Sequence, residues 1–417
     1  MWARNKHSHV TARAKPMFAG FLVLVALGLS SCAAGKQTAV GGNCPTGVPG
    51  VTAQSIDLGY LTPSAGAAAA ILLPVRAGID ARIGLANAQG GVNGRTISYK
   101  WENDDSTDEG AAASARRLIR TDQVFGLLGG SANLGGAAEF LASQNVPVVG
   151  QATDGSWRLH PNMVTVSNQV EGQPVSTFGD LVNSHGGHRA AVLSVALIGA
   201  SNVISDVLRA GLTDGGVPVA EQVKIPLSGA RYSETAARLK SEDVDTLVSA
   251  VDPGALAGVV SALAALGEHP LVISLVGYGG ATPRNFGSRL AGSYFLTVAR
   301  PFESPTAATT QYLNAMAAYA PYLQQPRDQF ALEGWISADL FIQGLKLAGP
   351  CPTRASVLKR LHALRGYDAG QLLPRPLDLA TASASIEPCY FVTRVSADGT
   401  SFVPDQPLTR CGQSFAS

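Results

Sequence analysis

At 417 residues the chain is long enough for two or more domains. Hydrophobic residues make up 46% of it and charged residues 15%, which excludes a disordered chain and calls for a large core. The formal net charge of +1 lacks the basic surplus that a nucleic-acid partner requires.

The N-terminus opens with a basic region (Arg4, Lys6, Arg13, Lys15), followed by the apolar run MFAGFLVLVALGL from Met17 to Leu29. At ~1.5 Å per residue this run is too short to cross a ~30 Å hydrocarbon core. Leu29-Ser30-Ser31-Cys32 then has the shape of a secretory signal's end. It resembles the lipobox of bacterial lipoproteins, which implies cleavage before Cys32 and lipid on its thiol. Residues 1–32 are expected to be a lipoprotein signal peptide and 33–50 a polar tether, both outside the fold. No later run is long and apolar enough to span a membrane. The other four cysteines, Cys44, Cys351, Cys389 and Cys411, fit disulfides of an exported protein. Three connectivities are open. Cys351 with Cys389 and Cys44 with Cys411 is preferred, because the second bond would tie the chain ends together. Their spacing matches no metal motif, and no metal or cofactor is expected.

From residue 55 the chain alternates short β-branched runs with longer alanine- and leucine-rich stretches. Strands are expected at 55–61, 96–104, in VFGLLG and at 146–150; helices at 71–89, 107–121 and 133–144. Val75, Ile79 and Ile83 mark one helical face, and Thr107 is placed as an N-cap with acids behind it. GGVNGR at 90–95 reads as a turn. A second series starts near 170, with strands at 190–197, 218–225, 245–251, 271–276 and about 293–298, and helices near 173–184, 201–214, 233–241 and 254–266. Two late helices, 306–323 and 330–349, have no strand between them, and 389–404 reads as a hairpin around Ala397-Asp398-Gly399. Such alternation gives parallel sheets with right-handed crossovers, so the fold class is α/β with two doubly wound lobes.

The stretch from IDLGYLTPSAG to SARRLI, with NAQGGVNGR and ENDDSTDEG at its centre, resembles the opening of the type I periplasmic-binding-protein family, the leucine/isoleucine/valine-type substrate-binding proteins of ABC importers. The resemblance extends over most of residues 51–405. It implies two parallel-sheet lobes joined by a three-strand hinge, with a ligand in the cleft between them. Lobe one would be 51–168 plus 300–375, and lobe two 169–299 plus 376–417.

The glycine-rich GLLGGSANLGG at 126–136 has no lysine or arginine, so it is no phosphate loop. By the resemblance it is a ligand turn in which Ser131 offers a hydroxyl and a helix N-terminus attracts a carboxylate. Ala152 and Thr153 match the family's Ala-Thr pair, and the first loop brings Tyr60, Thr62 and Ser64 to the same edge. Trp157 is a candidate cleft wall, as are Phe330 and Trp335, for which core packing is the plainer role. Lobe two departs from the amino-acid binders. Gly199-Ala200-Ser201 stand where a tyrosine is usual, and Asp252-Pro253 where an aromatic follows. Tyr278 and Gly279 occupy the loop that would hold an acid for the ligand ammonium. Either Asp252 or Glu333 supplies that charge, or the ligand has no α-ammonium; a buried ammonium without a counter-charge is costly.

Glu102, Asp104, Asp105 and Asp108 read as a solvated loop, and His185 and His188 as an exposed turn rather than a metal site. No G-x-S-x-G elbow occurs. The expected function is therefore binding without chemistry: a monomeric, lipid-anchored protein on the extracytoplasmic face of the cell membrane. Its partners would be a small polar or amphipathic solute, amino-acid-like or an organic acid, and an ABC permease. A ligand-sensing receptor of the same fold is the alternative, and a secreted α/β hydrolase a remote one.

Overall fold

Strand and helix alternate from residue 55 onward. The computed structural model describes residues 44–414 other than 171, 197–199, 227 and 383–385 (and, of 66–68, 70, 71 and 200–202, the backbone only). The first series runs β1 (Ser55–Thr62), α1 (Gly66–Ala88), β2 (Thr96–Asn103), α2 (Asp108–Arg120), β3 (Leu127–Gly129), α3 (Gly135–Ser143), β4 (Val148–Gly150), α4 (Ser156–Leu159) and β5 (Met163–Thr165). Its strands form a parallel five-stranded sheet in the order β2-β1-β3-β4-β5. Leu58 and Tyr60 point to one face with Val75 and Ile79 of α1, while Leu61 and Leu127 point to the other with Leu118 and Ala137. Both faces are thus dry, as a parallel sheet requires.

The GGVNGR turn owes its sequence to backbone geometry: Gly90, Gly91, Asn93 and Gly94 all take positive φ. A Cβ on Gly91 would stand 1.9 Å from the Arg95 carbonyl oxygen. Thr107 caps α2 as expected, accepting from Gly110 N at 2.9 Å.

The second series is α5 (Thr177–Ser184), β6 (Ala190–Val195), α6 (Ala200–Asp214), β7 (Val219–Ile225), α7 (Tyr232–Ser241), β8 (Thr246–Ser249), α8 (Pro253–Ala264), β9 (Leu271–Ser274), α9 (Ala281–Leu290) and β10 (Tyr294–Thr297). Then come α10 (Ala307–Tyr319), α11 (Gln329–Ala348), α12 (Arg354–His362), β11 (Cys389–Val395) and β12 (Phe402–Cys411). The second sheet has the order β12-β11-β10-β9-β8-β6-β7, parallel except for β11 and β12. Helices α10 and α11 return to the first sheet's side and pack on α1, with α11 also reaching β3 and β4. One apolar core runs from Leu58 and Ile79 through Leu332 and Trp335 to Leu193 and Phe295.

The expected disulfide pairing is wrong. Cys389 bonds Cys411, and Cys44 bonds Cys351. Cys389 and Cys411 are directly opposed partners in the β11–β12 hairpin, with Cα atoms 4.0 Å apart, so strand register decides the bond. Cys44 is held near the base of the first sheet beside Pro350, whose carbonyl also accepts from buried Arg95 at 2.8 Å. That places Cys44 at the end of the sheet opposite the one where the strands finish.

Helices α1 and α11 meet backbone to backbone. A Cβ on Gly78 would lie 1.8 Å from the Ala331 carbonyl oxygen, and one on Gly334 would lie 2.1 Å from that of Val75. Gly78→Ala is therefore expected to cost about 1–3 kcal/mol by forcing the two helices apart. Thermal unfolding followed by circular dichroism checks it, and an unchanged melting temperature would contradict this packing.

Candidate functional site

The carboxyl ends of β3 and β4 bring the predicted ligand residues together. Gly130 N donates to Leu61 O at 3.2 Å, which fastens the turn after β3 to β1. Ser131 is buried, and its Oγ accepts from Asn133 N at 3.0 Å, leaving the hydroxyl proton to be donated elsewhere. Thr153 Oγ1 donates to Ser131 O at 3.2 Å, so the two residues are in direct contact. Among the described residues no acceptor takes the backbone N–H of Ser131, Ala152 or Thr153. Ala152 is buried beside them.

Two further polar groups flank this turn without partners. Tyr60 is fully buried, and its hydroxyl lies 2.4 Å from where a Gly130 Cβ would be. Burial pushes that phenol up to about 12, opposed by the nearby Thr62 hydroxyl and the Arg76 charge. Trp157 lies under Gly129, a core residue of the seat rather than an open wall, and its indole N–H is buried and unbonded. Thr62 is buried at the end of β1; Ser64 is exposed, with its N–H on Asn103 Oδ1 at 2.9 Å.

The free helix N-terminus expected here is already occupied. Asp154, which sequence reasoning passed over, accepts from Gly135 N at 3.0 Å and from Ser156 N at 2.8 Å, and so neutralises the head of α3. Asp104 also differs from the solvated loop expected for it. It is fully buried and folds its own turn, Oδ1 accepting from Ser106 N at 2.9 Å, while Asp105 and Asp108 are exposed.

The lobe-two candidates do not join this constellation by their side chains. Asp252 caps α8, accepting from Gly254 N at 2.9 Å and Ala255 N at 3.0 Å. Tyr278 is buried; its hydroxyl donates to Glu303 Oε2 at 2.6 Å and accepts from Phe302 N at 2.6 Å. Gly279 forms an isolated bridge with Asp328, and a Cβ there would stand 2.9 Å from Arg327 O. Gly199 lies outside the described residues, as does Cys32. Phe330 is half-buried, and Trp335 packs edge-on against Tyr312 in the core. Glu333 is buried in the first turns of α11; burial, then the Asp328 carboxylate, pushes it up to about 8. Burial likewise moves Asp328 up to about 6, against the bonds it accepts from Ala331 N and Phe330 N. His185 rests on the Tyr294 ring at 4.2 Å. Among the described residues, no group of three His, Cys, Asp or Glu could hold a metal, and no helix is long and apolar enough to cross a membrane.

Residues 55–400 match the profile of a family described as Periplasmic binding protein. A substrate-binding periplasmic protein from Ralstonia solanacearum superposes with a TM-score of 0.71 at 21% identity, over 84% of this chain and 100% of that one. A solute-binding protein of an ABC transporter from R. palustris, solved in complex with benzoate, gives 0.70 at 17% identity, over 87% and 98%. A leucine-binding protein from Thermotoga maritima gives 0.68 at 15% identity, over 84% and 97%. These are likenesses of fold. No curated protein matches the sequence.

Glu333 yields a pH prediction. Its folded pKa is raised, so the native state holds a proton that the unfolded chain releases at lower pH. The stability this confers is fully present below the ordinary glutamate range and is lost as pH rises through about 8. Glu333→Gln, which mimics the protonated acid, is expected to leave the melting temperature unchanged near pH 5. Near pH 8.5 it should stabilise by about 1–4 kcal/mol, since each tenfold change in proton affinity is worth roughly 1.4 kcal/mol. Parallel pH profiles for the two proteins would contradict the assignment.

Proposed function

The chain belongs to the periplasmic binding protein family, and from that premise we propose that it is the lipid-anchored receptor of an ABC importer for a small carboxylic acid without an α-ammonium group. The family and the similar structures are binding proteins, extracytoplasmic by family. The carrying observation is the seat at Ser131 and Thr153. The Ser131 hydroxyl and the unbonded amides of Ser131, Ala152 and Thr153 are donors without an acceptor among the described residues, while the Thr153 hydroxyl donates to Ser131 O and holds the turn together. An anionic or strongly accepting oxygen satisfies such a set; an ammonium does not. None of the three positions considered for a counter-charge offers a carboxylate set aside for an ammonium. Asp252 Oδ1 is engaged in capping α8, a Cβ at Gly279 would press on the Arg327 carbonyl oxygen, and burial raises the Glu333 carboxyl to about 8, toward its neutral form. Proteins of this fold solved with benzoate, 4-hydroxybenzoate and 3,4-dihydroxybenzoic acid are consistent with the same ligand class.

In the mechanism, the acid docks on lobe one (51–168 with 300–375), and lobe two (169–299 with 376–417) closes over it. Closure is driven by the ligand's greater affinity for the closed form, which the permease then recognises. Cys32 carries the lipid, and the tether is the segment from it to Cys44, shorter than the 33–50 expected because Cys44 is bonded to Cys351 and Gly50 O accepts from Asp57 N. Its 12 steps (44 − 32) span at most roughly 40 Å when extended.

Two experiments test this reading. In calorimetry with whichever acid of an aromatic and aliphatic panel binds, Ser131→Ala with Thr153→Ala should weaken affinity at least tenfold, about 1.4 kcal/mol. Leucine, isoleucine and valine should bind the native protein poorly; sub-micromolar binding of any of them would overturn the proposed ligand class. Separately, cells fed labelled palmitate should label the native chain but not Cys32→Ser, and equal labelling would remove the anchor.

A further inference from the structure

The loop that follows β9 is fastened to the other lobe. Gln329, in the first turn of α11, is buried, and its side chain is given over to that loop's backbone. Its Oε1 accepts from Gly277 N at 3.0 Å and Tyr278 N at 2.9 Å, and its Nε2 donates to Leu275 O at 3.2 Å. Its own N–H donates to Tyr278 O at 3.2 Å, and Gly280 N donates to Arg327 O at 3.0 Å. One glutamine thus serves the loop as an extra strand would, while the rest of α11 packs on α1, β3 and β4 of the first sheet's side.

The Tyr278 ring sits in the same joint. It lies 5.0 Å from Phe402, which lies 5.2 Å from Phe295, both in the second sheet. On its other side it stacks on Phe302 at 6.0 Å, Phe302 stacks on Tyr312 at 5.8 Å, and Tyr312 meets Trp335 of α11 at 5.6 Å. A line of aromatic rings therefore runs from the second sheet into the helices on the first sheet's side.

We infer that the Tyr278–Gln329 joint is the pivot of lobe closure. Separating the lobes here would leave several buried backbone groups without partners and unstack the aromatic line, so this contact persists in both open and closed forms. Gln329 is a positioning residue. It fixes where the lobes rotate, and the cleft opens as a wedge with its apex at the end of β9. Because β8, β6 and β7 follow β9 in the sheet, displacement grows toward β7, three strand spacings or about 14 Å away. Tyr278 and Gly279, candidates for the ligand from sequence, belong to this joint.

The inference rests on the lobe closure proposed above, but its test needs no ligand. Spin labels at Asn285 and Gln324 span the joint, and labels at Glu109 and Ser233 span the lobes far from it. All four positions are exposed. In the ligand-free protein the Asn285–Gln324 distance distribution should be narrow and the Glu109–Ser233 distribution broad. Gln329→Leu should broaden the first at least twofold while the chain remains folded by circular dichroism. Should that variant not fold, Tyr278→Phe, which keeps the ring and loses the bonds to Glu303 and Phe302, should broaden it in the same direction. Equal widths at the two positions in the native protein, or an unchanged Asn285–Gln324 distribution in a folded variant, would overturn the pivot. Failure of the seat would appear instead as unaltered affinity in the Ser131 and Thr153 variants, with these distances untouched.

Discussion

A parallel sheet must turn away at the carboxyl ends of its strands, and whatever N–H groups it leaves there need an acceptor from somewhere. After β3 and β4 this chain supplies none to the amides of Ser131, Ala152 and Thr153 among the described residues. The groups around them deepen the deficit, since the Tyr60 hydroxyl and the Trp157 indole N–H are also buried without partners. Unsatisfied buried polar groups are costly, and natural folds keep few of them. The oxygen-rich guest proposed here would give these donors an acceptor. Asp154 refines the point. By accepting from Gly135 N it takes up a donor at the head of α3, so the binding proposed above falls to the turn amides and the Ser131 hydroxyl.

The groups considered for a counter-charge bear on what else the proposed guest carries. A positively charged ligand group needs an ionised carboxylate close by in a dry cleft. Asp252 Oδ1 accepts from two amides of its own helix, and burial, then the Asp328 carboxylate, disfavours the charged form of Glu333. The loop at Gly279 is pressed against Arg327 and Asp328 so closely that no acidic side chain could replace the glycine without moving backbone. The same close approach makes the joint to α11. One constraint thereby connects the choice of solute to the geometry of closure.

Much of the fold was legible in the chain. Apolar faces at helical spacing, the four left-handed positions around NAQGGVNGR and the Thr107 cap all lie where pattern and turn chemistry place them. The convergence of Ser131 and Thr153 was legible through the family resemblance, although neither residue announces it alone. What escaped depends on distant partners. Gln329 serves a loop about fifty positions away, and nothing local marks a glutamine for that task. Asp104 and Asp105 are neighbours of one residue type, yet only tertiary packing makes the first buried and the second exposed. Disulfide pairing followed hairpin register, which cysteine spacing does not encode. Elements of three or four residues such as α4 and β5 are too short to show a period.

The central claim is that turn amides of lobe one hold a carboxylate. Nuclear magnetic resonance of the ¹⁵N-labelled protein tests it directly, titrating aromatic and aliphatic carboxylic acids while following the backbone amides. An acid that raises the melting temperature is expected also to shift the Ser131 and Thr153 N–H protons downfield, ahead of any resonance at the base of the second sheet. A stabilising acid that leaves both protons where they were, or a panel in which only amines and amino acids bind, would contradict it.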